Sequence, residues 1–200
     1  MRPSNRPLVC IALIGISVAV FLAIQWWNRE QVLPPLLISQ YYQPALPEIR
    51  NGEIWRLVTP IFLHFGVFHL TFNLLWTWEL GKIVEGRQGS PWLGFVVLVI
   101  GVISNIAQYL VSGPVFGGMS GVVYGLFGYV WVQGNYNPGF GVRLNPSIVK
   151  LMLGWFVLCW SGLLERLFGL NVANTAHTAG LISGIIIGFL VYLLSGRRTA

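Results

Sequence analysis

From Gln88 to Val142 the chain runs for 55 residues without one Asp, Glu, Lys or Arg. One membrane helix needs roughly 20 apolar residues, so a run of this length holds two. The break between them is Ser112-Gly113-Pro114-Val115-Phe116-Gly117-Gly118, a cluster of turn-forming residues. In lipid every backbone N–H and C=O must find an internal partner, and apolar runs of helical length meet that demand only as α-helices. The expected fold class is therefore an all-α polytopic membrane protein.

The rest of the chain follows the same rule. Charged residues are 9% of the sequence against about 25% in a soluble domain. Gaps between charges set six spans at about 8–27, 60–81, 92–111, 119–134, 147–164 and 173–195 in one membrane domain, 1–200, with no soluble domain appended. The first apolar run, Leu8 to Trp27, is 20 residues long and ends in Trp26-Trp27. A signal peptide has a shorter core of about 7–15 residues and a small-residue cleavage site, so this run reads as a retained helix. Arg2, Arg6, Lys82, Arg87, Arg143, Lys150, Arg197 and Arg198 collect on one side, Arg29, Arg50, Arg56 and Arg166 on the other. The excess of basic residues places both termini in the cytoplasm. The connection 28–59 is rich in Trp, Tyr, Pro and Leu, and is expected in the outer interface.

The net charge of +6 is spread between apolar runs, so it sets topology and offers no clustered patch for nucleic acid. Cys10 and Cys159 lie within apolar segments and imply packing, with no disulfide framework.

Chemistry enters with Gly118-Met119-Ser120-Gly121 and with Ala176-His177. A fourth span from Ser120 to Gly134 is about 22 Å long, short of the roughly 30 Å of hydrocarbon. Ser120 is thus expected below the outer surface, beside a water-filled cavity. His177 precedes Arg197 by 20 residues, about 30 Å along a helix, which puts it in the same outer half. His177, Gly180, Gly184 and Gly188 share one helical face, and Ser120, Gly121, Tyr124, Gly125 and Gly128 share another. Small residues let two helices approach closely, and joining these faces brings hydroxyl to imidazole. The plain alternative is packing alone, with Ser120 a helix cap.

His69 and Asn73, four apart, share a face at similar depth. With the N–H groups at the helix start by Ser120 they form an oxyanion site, or else make an interhelical hydrogen bond. Ser104, Gln108 and Ser112 repeat every four residues, as a water path or as bonds to neighbouring helices. His64 is expected in a structural contact. Glu79, Glu85 and Glu165 all fall away from the depth of His177, so the pair has no carboxylate orienter and forms a Ser–His dyad. Tyr124, one turn below Ser120, is placed to stack on the imidazole. The three histidines lack the spacing of a zinc site, so no metal and no cofactor is expected.

These residues resemble the rhomboid family of intramembrane serine proteases, in its bacterial form. The match runs through Trp55-Arg56, His69-Leu-Thr-Phe-Asn73, Gly118-Met-Ser-Gly121 and Ala176-His177 followed by Gly180 and Gly184. The resemblance implies a six-helix core with Ser120 as nucleophile and His177 as general base. It also implies oxyanion binding by His69, Asn73 and the Ser120 amide, a flexible cap at 165–171, and a lateral gate on span five with Trp155 or Trp160 as its gating residue. The expected activity is cleavage of membrane proteins in or near a transmembrane helix, from an active site open to the outside of a bacterial inner membrane. The alternatives are a catalytically silent relative that binds membrane clients and a small transporter, and the latter lacks the internal repeat it calls for.

Overall fold

The computed structural model describes residues 6–42 and 45–196. Arg2, Arg197 and Arg198, three of the residues that orient the chain, lie outside them. Among the described residues the fold is all-helical. Its α-helices are α1 (Leu8–Trp26), α2 (Arg29–Val32), α3 (Pro47–Arg50), α4 (Val67–Gln88), α5 (Ser90–Ser112), α6 (Ser120–Tyr136), α7 (Pro146–Trp160), α8 (Leu163–Phe168) and α9 (Asn174–Gly196). Three of these, α1, α5 and α9, are long and apolar enough to cross a membrane by length and composition. Large apolar side chains such as Phe95, Leu98, Ile182, Ile186 and Leu190 face outward, as lipid contact requires and water does not favour. The protein is an integral membrane protein.

The first helix begins after Pro7, which supplies no side-chain cap. The buried Glu85 carboxylate of α4 does the capping instead, accepting from the backbone N–H groups of Val9 (2.8 Å) and Cys10 (3.0 Å) and from the Ser90 hydroxyl (2.6 Å). A negative charge at a helix N-terminus satisfies orphan donors and opposes the helix dipole. The same residue thus ties α1, α4 and the start of α5 together.

Two helix limits differ from the apolar runs that announced them. Residues 59–62 form a 3-10 turn containing Pro60, and α4 starts only at Val67, after Gly66. Helix α7 stops at Trp160 because Gly162 takes a left-handed conformation, and α8 then forms a separate turn and a half.

Helix α6 is the centre of the bundle, buried without a break from Gly121 to Val130. Its apolar side chains, Val122, Leu126 and Phe127 among them, meet Leu80 and Val84 of α4 and Val96 and Ile100 of α5 in one core. Against α9 the contact is backbone on backbone. A Cβ added to Gly180 would run into the Gly121 carbonyl oxygen, and one added to Gly184 into that of Gly125. Only glycine permits this approach, which gains dispersion energy along the whole interface where lipid offers no hydrophobic drive.

The outer connection is folded upon itself. Arg56 is buried and donates to the carbonyls of Pro34 (2.6 Å) and Leu37 (2.9 Å) while pairing with Glu53. Glu48 accepts from the Ser39 hydroxyl (2.9 Å) and the Gln40 amide (2.7 Å). Ile38 joins Tyr109 of α5 and Phe116 in a second small core, which braces the 113–118 segment leading to Ser120.

Candidate active site

Ser120 is the first residue of α6, so its own N–H and those of Gly121 and Val122 have no intrahelical acceptor. The preceding loop is held in an unusual shape. Gly118 has φ +126°, a region that L side chains avoid, and its N–H donates to the Pro60 carbonyl at 3.0 Å. A Cβ there would lie 2.7 Å from both Cε1 and Nε2 of His69. The glycine before the serine thus lets an imidazole lie directly against the chain.

His177 sits in the first turn of α9 and is buried. Its Nε2 lies 2.8 Å from Ser120 Oγ. With the ring proton on Nδ1, the serine hydroxyl donates to Nε2, the arrangement in which imidazole can take the hydroxyl proton. Nδ1 is buried and has no hydrogen-bonding partner, so no carboxylate orients the ring. Tyr124 lies against it instead, with ring centroids 4.8 Å apart and planes at 40°. The tyrosine is itself wedged by an edge contact with Phe156 and by donation to the Met152 carbonyl at 3.3 Å.

The start of α9 is anchored twice. The Ala176 N–H donates to Gln108 Oε1 (2.9 Å), and the Asn174 carboxamide donates to the Cys159 carbonyl (3.1 Å). Ser104 donates to Gly101 of its own helix, and its Oγ would be 2.8 Å from a Cβ on Gly121. Gln108 thus links α5 to the start of α9, while Ser104 bonds within α5.

Asn73 is buried, and one of its N–H groups donates to the His69 carbonyl one turn earlier at 2.9 Å. A carboxamide nitrogen carries two N–H groups, so a donor remains. His64 bonds through Nδ1 with the Phe62 carbonyl at 3.1 Å, and its ring centroid is 5.1 Å from that of His69. The structure also separates the two tryptophans of α7. Trp155 stacks on Phe72 of α4, 6.0 Å between centroids and 15° between planes, whereas Trp160 donates to Thr178 of α9 at 3.2 Å. Phe72 carries no sequence signal that sets it apart from the other aromatics of α4, so this stack was not readable in advance.

A buried imidazole in contact with a helix-start serine, a second imidazole against Gly118, and the free N–H groups at the start of α6 are the kinds of group that acyl transfer calls on. Comparison with known proteins leads the same way. The family pattern described as the Rhomboid domain matches residues 51–194. The chain is 44% identical over 199 residues to "Rhomboid protease GlpG" of Salmonella typhi and to that of Salmonella paratyphi A. It is 38% identical over 199 residues to the protein of the same description from Salmonella choleraesuis. Each match spans 100% of this chain and 68% of the relative. The family pattern and the relatives matched along the whole of this chain agree, and the chain belongs to the rhomboid family.

Proposed function

We propose that this rhomboid is an intramembrane serine endopeptidase that cuts membrane-protein substrates in or near a transmembrane helix, with Ser120 as nucleophile and His177 as base and then acid. The observation that carries this reading is the 2.8 Å approach of His177 Nε2 to Ser120 Oγ. Ser120 attacks the scissile carbonyl as His177 takes its proton. The oxyanion is held by the Ser120 N–H, His69 and Asn73. The imidazolium returns the proton to the leaving amine, and water then releases the acyl group by the same route in reverse. Tyr124 holds the imidazole in place of a carboxylate.

Six spans, α1, α4, α5, α6, α7 and α9, cross the inner membrane of a bacterium, with both termini in the cytoplasm. At 17 residues α6 is about 25 Å long, less than the roughly 30 Å of hydrocarbon, so Ser120 lies below the outer surface in a site open to the extracytoplasmic side. A helix hides its carbonyls in its own hydrogen bonds, so substrates carry Gly, Pro or other weak-helix residues near the cut.

The test is cleavage of a labelled transmembrane substrate with a Gly/Pro-weakened helix by purified protein in liposomes. Wild type cuts it and Ser120→Ala does not. Cutting at the wild-type rate by Ser120→Ala rules the mechanism out.

A further inference from the structure

Thr71 and Thr178 make the bond expected of a helical threonine, donating to the carbonyl four residues back at 2.8 Å and 3.1 Å. Thr77 of α4 does not. Its hydroxyl donates across the helix interface to the Met119 sulfur at 3.2 Å, and both side chains are fully enclosed. Met119 is the residue before Ser120 and the N-cap of α6, its carbonyl accepting the first helical bond from Val123 at 2.8 Å.

We infer that Thr77 is a positioning residue for the nucleophile, acting through Met119; this rests on the serine-protease reading above. Successive residues of a helix differ by about 100° in direction, so fixing the azimuth of one fixes the next. Thr77 pins Met119 on the α4 side of α6. On the far side Gly121 is pressed against Ser104 and the Ala176 carbonyl, within 3.2 Å of a Cβ built upon it. Ser120, between these two fixed neighbours, has one direction left, toward His177. Two residues on a single face of α4 thereby meet the segment before Ser120: His69 lies against Gly118 and Thr77 holds Met119. A thioether is a weak acceptor. The enclosed hydroxyl nevertheless makes this bond across the interface, and losing it frees the helix start to turn.

The experiment compares wild type, Thr77→Val, Thr77→Ser, Met119→Leu and the Val/Leu double variant in liposomes. It reads kcat and KM for a transmembrane substrate, the rate of Ser120 labelling by a fluorophosphonate, and the unfolding temperature. Thr77→Val is expected to lower kcat and labelling rate together by about three- to tenfold, with KM unchanged. Thr77→Ser restores both, and the double variant loses no more than either single one. Wild-type kcat and labelling in Thr77→Val overturns the inference, as does a loss that Thr77→Ser fails to restore. If Thr77→Val does not fold, Met119→Leu decides alone: reduced labelling supports the inference and wild-type labelling overturns it. Failure of the wild type itself to be labelled at Ser120 brings down the serine-protease reading and the inference with it.

Discussion

The carbonyl oxygen of Gly121 occupies the place that a Cβ on Gly180 would take, and one turn along Gly125 and Gly184 repeat the relation. The two helices that carry Ser120 and His177 are therefore in contact through their backbones. Their separation cannot grow by even a methyl group without moving the serine from the imidazole. Gly180→Val is expected to destabilise the fold by at least about 1–3 kcal/mol, the usual cost of overpacking, and to abolish cleavage. Gly15→Ala, where a Cβ meets nothing within 4 Å, should be neutral in both. Thermal unfolding in detergent, read beside substrate cleavage, checks the pair.

Tyr124 lies against the His177 ring, while Nδ1, the atom that a triad's carboxylate would bond, has no partner. Tyr124→Phe keeps the ring and loses the bond to the Met152 carbonyl, so it should retain most activity. Tyr124→Ala lets the imidazole rotate and should lower kcat by about tenfold or more. Steady-state kinetics on the two variants separates ring from hydroxyl. Equal loss in both would assign the effect to the hydroxyl.

The stack of Phe72 on Trp155 joins α4 to α7, a helix with only Met152 and Cys159 buried. Removing one ring loosens the contact between α4 and α7. Phe72→Ala and Trp155→Ala should raise the rate of cleavage of a transmembrane substrate severalfold while leaving fluorophosphonate labelling unchanged. Such a reagent is small enough to reach Ser120 without passing between helices. A matched change in both rates would place the effect on the chemistry instead.

Glu48 in the outer connection gives a pH dependence. Burial alone would raise its pKa. The Gln40 amide, its own backbone N–H, the Ser39 hydroxyl and nearby Arg56 outweigh that and hold it below the ordinary value of 4.5. A carboxylate with a depressed folded-state value stabilises the fold fully above its unfolded value. That contribution fades as pH falls below 4.5 and is gone once pH passes the folded value. Glu48→Gln should lower stability at neutral pH and flatten the acid limb of the curve. Unfolding temperatures measured from about pH 3 to pH 7 on both proteins test this; parallel curves would contradict it.

The approach of α6 to α9 was legible in the sequence because both partners carry glycines at helical spacing, and such stripes state which face is in contact. The break before Ser120 was legible for a similar reason, since Gly113, Pro114, Gly117 and Gly118 punctuate the chain locally. The outer connection was not. Arg56 is satisfied by the carbonyls of Pro34 and Leu37, and a backbone carbonyl leaves no mark in a sequence. The roles of Gln108, Phe72 and Thr77 were hidden in another way. Each depends on a partner more than 40 residues distant, and its residue type fits several local explanations equally well. The start of α4 was not legible because an apolar run continues through the turn at Pro60, and hydropathy does not register a change of backbone conformation.

In the proposed mechanism Ser120 attacks because His177 takes its proton. Peptide mapping by mass spectrometry after fluorophosphonate treatment puts this to the test. Wild type should carry one adduct, on Ser120, and His177→Ala should carry almost none under the same conditions while remaining folded. An adduct on another residue, or equal labelling of Ser120 without the imidazole, would contradict it.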